Sequence, residues 1–141
     1  MAANGKDTRQ RILWAAAALV SEGGPGELTF DAVAARLGVT KQAVIYWFPT
    51  KAELMAGVAV PHFEAEAETT IAALRGAGSP AEAARRVVAA LSDFYLADLD
   101  RFRLMYVVVQ TGRRAAPRLA DAVTRRLHPV TGRMYAAMEA A

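Results

Sequence analysis

The sequence predicts an all-α protein, and three observations carry that prediction. Apolar residues make up 54% of the 141 residues, enough for a buried core and too many for a disordered chain. Much of that share is alanine, whose side chain loses no rotamer freedom in a helix. Glycine and proline gather in short clusters between long segments whose apolar residues recur at spacings of three and four.

The first helical pattern runs from about Lys6 to Ser21, with Ile12, Leu13, Ala16, Leu19 and Val20 forming an apolar stripe. Trp14 is assigned to the core with them. Glu22-Gly23-Gly24-Pro25-Gly26 stops this helix, because three glycines and a proline continue it poorly. A second helix is expected over Phe30 to Leu37. Thr29 is its N-cap, Asp31 stands in the first turn where the helix dipole favours an anion, and Gly38 is a left-handed stop. Thr40 caps a short third helix, Lys41 to Trp47, which ends at Phe48-Pro49. Thr50-Lys51-Ala52-Glu53 has the pattern of a capping box and opens a long helix to about Leu74, bent or interrupted by Pro61.

After the Gly76-Ala77-Gly78 linker, Ser79-Pro80-Ala81-Glu82 is a second capping box with proline at the first helical position. Its helix, to about Ala97, places Val87, Val88, Leu91, Phe94 and Tyr95 on one broad face. Asp98 or Asp100 caps a further helix to about Thr111. Its centre, Leu104 to Val109, is apolar all round and, taken alone, fits a buried strand as well as a helix. A last helix begins near Pro117, and Pro129 bends or divides it.

Several function classes are excluded or disfavoured. The chain has no cysteine, which removes disulfides and thiolate metal sites. No apolar run approaches the roughly 20 residues that span a bilayer, and the polar N-terminus does not resemble a signal peptide, so a cytoplasmic protein without membrane contact is expected. No nucleophile elbow, paired-histidine metal motif or phosphate-cradling glycine loop is present, and His62 and His128 stand far apart. No enzyme, cofactor or metal is called for. The net charge of +3 is spread evenly. Residues 1–54 carry six Lys/Arg against five Asp/Glu and the remainder eleven against nine, so bulk charge alone does not point to a nucleic acid.

Local placement does. Two short helices flank the three-residue turn Gly38-Val39-Thr40, the signature of a helix-turn-helix. Phe30, Val33, Ala34 and Leu37 face Val39, Val44 and Phe48 as a small core. That leaves Lys41, Gln42, Ala43, Tyr46 and Trp47 pointing outward from the helix that enters the major groove in this motif. Lys41 can donate to guanine O6 and N7, and Gln42 can pair with adenine N6 and N7. Lys51 sits at a helix N-terminus, where free amides and an ammonium together suit a phosphate. Trp47 serves equally well as a cover for the third helix.

The strings Leu28-Thr29-Phe30-Asp31-Ala32-Val33-Ala34, Leu37-Gly38-Val39-Thr40-Lys41 and Phe48-Pro49-Thr50-Lys51-Ala52-Glu53-Leu54 resemble the DNA-binding signature of the TetR (tetracycline-repressor-like) family of transcriptional regulators. The resemblance covers roughly residues 8–55; beyond it only the helical layout is similar. It implies a helix-turn-helix DNA-binding domain over residues 1–55 and a helical ligand-binding and dimerisation domain over 56–141. It implies double-stranded DNA, a second copy of the chain and a small-molecule effector as partners. By position, Lys41, Gln42 and Ala43 fall where the family reads bases. Thr29, Thr40, Tyr46, Trp47 and Lys51 fall at or beside phosphate contacts. Ile45 departs from the family, which usually has a phosphate-touching Tyr there; Tyr46 lies about 100° further round the helix.

Candidate effector-pocket residues are His62, Phe63, Tyr95, Met105, Tyr106 and Tyr135, since aromatics, methionine and a few polar tips suit such cavities; the same side chains serve equally as ordinary core. Arg113, Arg114, Arg118, Arg125 and Arg126 form a basic stretch, read as a solvated face. Family members carry two further helices that pair between subunits, whereas this sequence stops at Ala141 in mid-pattern, so the second domain is read as incomplete. The competing reading is a helical small-molecule or protein-binding module that keeps the fold without sequence-specific DNA binding.

Overall fold

The computed structural model describes residues 2–105 and 117–140, and all regular structure among them is helical. Helix α1 spans Ala2–Gly23, followed by a single 3-10 turn at Pro25–Glu27; then come α2 (Phe30–Leu37), α3 (Lys41–Trp47), α4 (Lys51–Leu74) and α5 (Pro80–Leu96). Residues 99–105 form the described part of α6, and α7 is Pro117–Glu139. The expected helix as far as Thr111, with Tyr106, Arg113 and Arg114, lies outside the described residues.

Side-chain caps set the helix starts. The hydroxyls of Thr29, Thr40, Thr50 and Ser79 accept hydrogen bonds from the amides of Ala32, Ala43, Glu53 and Glu82 at 3.0–3.2 Å. Between Asp98 and Asp100 the structure selects Asp98, whose Oδ1 accepts from the Arg101 amide at 3.1 Å. Gly38 closes α2 at φ 66°, ψ 33°, a left-handed geometry that costs glycine little. The Gly38 and Val39 amides then bond back to Ala35 and Ala34. The second capping box shifts by one residue: Glu82 Oε2 accepts from the amide of Gly78, one position ahead of Ser79.

The N-terminal core joins Ile12, Leu13 and Ala16 of α1, Leu28, Val33 and Ala34, Val44 and Phe48, and Leu54 and Val58 of α4, all buried. Phe30 and Leu37 pack partly buried against it, while Val39 reaches only its rim, 37% exposed. Trp14 corrects an expectation: it is 64% exposed. At about 100° per residue, Trp14 lies opposite the stripe of Ile12, Leu13, Ala16 and Val20, so its direction outweighs its hydrophobicity.

Helix α4 belongs to both halves. It packs on α1 at its start and on α5 and α7 along its length, and Leu54 through Val60 are buried without a break. Gly57 makes the crossing possible, because a Cβ there would lie 2.8 Å from Leu13 Cδ2 and 3.0 Å from Phe48 Cε1. Pro61 does not interrupt the helix, although it supplies no amide for the carbonyl four residues earlier, that of Gly57. Pro129 is likewise contained within α7. Arg133 of α7 reaches Glu68 of α4 at 2.7 Å. Arg86 bonds the carbonyl of Arg75, at the end of α4, at 3.0 Å.

Candidate nucleic-acid interface

Helix α3 is held from behind. Val44 and Phe48 are at most 2% exposed, and they press on Val33 and Ala34 of α2 in the same buried cluster. Because these anchors occupy one side, the opposite side faces solvent: Lys41 and Gln42 are exposed, and Tyr46 is 78% exposed. Ala43 and Ile45 are half-buried at its edges. Trp47 is half-buried and packs on the core. Its ring lies over the start of α1, where a Cβ on Gly5 would stand 3.2 Å from Cη2, and Tyr46 meets it edge-on with centroids 5.3 Å apart.

Around that face stand groups able to hold phosphate. Thr29 and Thr40 are exposed. Each hydroxyl already accepts from an amide, which leaves its O–H free to donate. Lys51 is exposed at the start of α4 and makes no ion pair among the described residues. Thr50, beside it, is exposed and caps α4 in the same way; sequence reasoning read it only as a cap, although its place before Lys51 was visible. Lys41 is not free: its Nζ lies 2.8 Å from Asp31 Oδ2, with side-chain exposures of 45% and 71%. Arg36 Nη2 reaches both Glu22 carboxylate oxygens, at 2.8 and 2.7 Å, and ties α2 to α1. Arg9 stacks over the Phe48 ring, 5.0 Å from its centroid.

Residues 12–58 match the family model of bacterial regulatory proteins, tetR family. Over those residues the chain is similar to the N-terminal domain of the TetR family of regulators. Solved structures extend the likeness along the chain. The multidrug binding protein EbrR, in complex with imidazole, superimposes with a TM-score of 0.74 at 26% identity, over 92% of this chain and 71% of that one. A protein from Shewanella sp. PV-4 assigned to the tetR family of transcription regulators gives 0.71 at 17% identity, over 92% and 67%. The protein SCO7518 from Streptomyces coelicolor A3(2), assigned as a transcriptional regulator, gives 0.69 at 19%, over 90% and 75%. These last two speak for the fold alone. No curated protein sequence matches this chain. The fold is that of a TetR-type transcription regulator, with the helix-turn-helix at α2 and α3.

In the second half of the chain, the described residues among the sequence-predicted pocket set do not converge. The Tyr95 hydroxyl lies 3.5 Å from the sulfur of the buried Met105. Burial, then the Glu66 carboxylate that accepts a hydrogen bond from that hydroxyl, push the phenol well above its ordinary range. Tyr95 also meets Phe94 and Phe102 edge-on. Phe63 packs on the N-terminal core, and Tyr135 is 60% exposed. His62 lines a separate crevice of about 280 Å³, between Ala17 and Ser21 of α1 and Asp98, Arg101 and Leu104. Of the basic stretch, Arg118, Arg125 and Arg126 lie on α7, and Arg125 is exposed.

A larger feature is lined by none of the described residues of the predicted pocket set. An apolar groove of about 580 Å³ opens between α4, α5 and α7, walled by Val87, Leu91, Met134 and Met138, with Glu66 and Thr70 among its polar groups. Its walls come from segments remote in sequence, so no local pattern marks it. Among the described residues no helix is long and apolar enough to cross a membrane, and no cluster of three potential metal ligands occurs.

Proposed function

We propose that this chain is a transcriptional repressor that binds a pseudo-palindromic operator as a homodimer and responds to a small molecule in its helical half. The observation that carries the reading is the outer face of α3. Lys41, Gln42 and Tyr46 project from a helix anchored through Val44 and Phe48, flanked by Thr29, Thr40 and Lys51. Two such helices would read half-sites about one helical turn, roughly 34 Å, apart. Lys41, Gln42 and Ala43 contact bases in this reading; Thr29, Thr40, Tyr46, Trp47 and Lys51 contact or flank phosphates.

The groove between α4, α5 and α7 supports the effector, since its volume falls in the range of small-molecule sites. The likeness to a multidrug binding protein points the same way. An effector that prefers a dimer with the wrong spacing between recognition helices lowers DNA affinity through its differential binding to the two states.

The test is selection of duplexes from a random library by the purified chain, followed by binding of two variants. Lys51→Ala is expected to weaken binding to every sequence and to reduce the salt slope by about 0.9. Gln42→Ala is expected to change base preference at one position per half-site. If neither variant altered DNA binding, the reading would fail.

Two observations favour a second reading, a helical module that binds a small molecule or a protein and makes no sequence-specific DNA contact: Lys41 is paired within the chain, and Ile45 stands where the family usually has a tyrosine. A mobility shift that is absent, or insensitive to salt, would favour that alternative.

A further inference from the structure

We infer that Asp31 is a specificity-determining residue, acting with Lys41 as one donor–acceptor unit that reads a G·C base pair and resists binding through phosphates alone. The inference rests on the reading of α3 as the DNA-reading helix. Lys41 is the first residue of α3, on a flexible stem whose ammonium would otherwise settle on the nearest phosphate. Instead it is held at 2.8 Å by a carboxylate ten residues earlier, on the neighbouring helix. Asp31 is itself favoured where it stands, in the first turn of α2. Both side chains are largely exposed, so the pair adds little to stability. Asp31 makes no other ion pair among the described residues.

Three consequences follow. An ammonium that gives one N–H to a carboxylate keeps two donors, enough for the O6 and N7 acceptors of guanine, while a carboxylate oxygen can accept from the N4 amino group of cytosine. The major-groove edge of a G·C pair offers two acceptors and then a donor, and the Lys41–Asp31 unit offers the complement. The paired ammonium is neutralised before DNA arrives, so it contributes little to counterion release on a random duplex. Finally, Asp31 stands in the first turn of the helix that Thr29, a candidate phosphate contact, caps, and its negative charge disfavours docking that presses the DNA backbone against that corner.

The test uses the full chain with two duplexes, one selected from a random library and one of random sequence, at about 50 mM and about 200 mM salt. Asp31→Asn is expected to bind the random duplex severalfold more tightly at low salt, with a slope steeper by about 0.9. The affinity ratio between selected and random duplex should fall about tenfold. Asp31→Glu, which keeps the charge, restores the ratio. Lys41→Gln, with Asp31 intact, lowers the ratio but leaves the slope on the random duplex unchanged. A Lys41→Gln slope shallower by about 0.9 would put Lys41 on a phosphate and overturn the inference, even if Asp31→Asn did not fold. Wild-type ratio and slope in a folded Asp31→Asn chain would overturn it while leaving the regulator reading intact. Absence of salt-dependent binding by the wild-type chain would remove both.

Discussion

At the scale of single residues, the threonines around α3 are caps to which the proposed reading gives a second duty. Thr40 satisfies the Ala43 amide at 3.2 Å, and its remaining O–H is available to a phosphate. The two duties separate by substitution. Thr40→Ala should cost about 1 kcal/mol of stability through the lost cap and weaken DNA binding as well, whereas Thr40→Ser should preserve both. Thermal melts and duplex titrations of the two variants check this, and a Thr40→Ala chain with wild-type stability would remove the cap from the account. His62 offers a pH-dependent counterpart. Half-buried in its crevice, it is held below its ordinary value of 6.5, first by burial and then by the Arg101 guanidinium, with Asp98 partly offsetting them. The unfolded chain therefore takes up this proton at higher pH than the folded one. The stability contribution is complete above pH 6.5 and is lost as pH falls below it. Melting at pH 7.5 and 5.5 should show that loss, and His62→Gln should flatten it. Glu82, held below its ordinary 4.5 by the Gly78 amide and Arg86, acts only at lower pH.

At the scale of elements, close approach of helices decides what each position tolerates. Gly57 sits where α4 crosses α1 and the end of α3, with no room for a methyl group between Leu13 and Phe48. Alanine would gain about 1 kcal/mol of helix propensity, but forcing Leu13 and the Phe48 ring apart costs about 1–3 kcal/mol. Gly57→Ala should therefore destabilise the fold by about 1 kcal/mol, read as a lower Tm; a higher Tm would mean that the crossing relaxes freely. The helix starts were legible because capping is local: Thr29, Thr40, Thr50 and Ser79 lie within three residues of the amides they satisfy. The exposed face of α3 was legible for a similar reason, as the complement of Val44 and Phe48. Trp14 was misassigned on hydrophobicity, although the helical wheel already placed it opposite Ile12 and Ala16. The Lys41–Asp31 pair was not legible, since it depends on how two helices meet across the Gly38 turn.

At the scale of the whole molecule, the question is what occupies the groove between α4, α5 and α7. Its walls are apolar through Val87, Leu91, Met134 and Met138, and Glu66 places a carboxylate at its lining, so an apolar cation suits it better than an apolar anion. Tetraphenylphosphonium is a suitable probe. At about 100 times its Kd it should stabilise the chain by about 2.7 kcal/mol, raising Tm by roughly 8–12 °C for a chain of this size. Leu91→Arg, which places a like charge in the wall, should abolish the shift. An unchanged Tm, or a shift that survives Leu91→Arg, would place any effector elsewhere. The same ligand then tests the link between the two halves of the chain through α4, which shares its buried residues with the helix-turn-helix core and its flank with the groove. Coupling between two sites is reciprocal: if the cation weakens operator binding by some factor, saturating operator must weaken cation binding by the same factor. A factor different from one would show that the two sites are coupled, whereas cation binding indifferent to operator would leave α4 a passive connector.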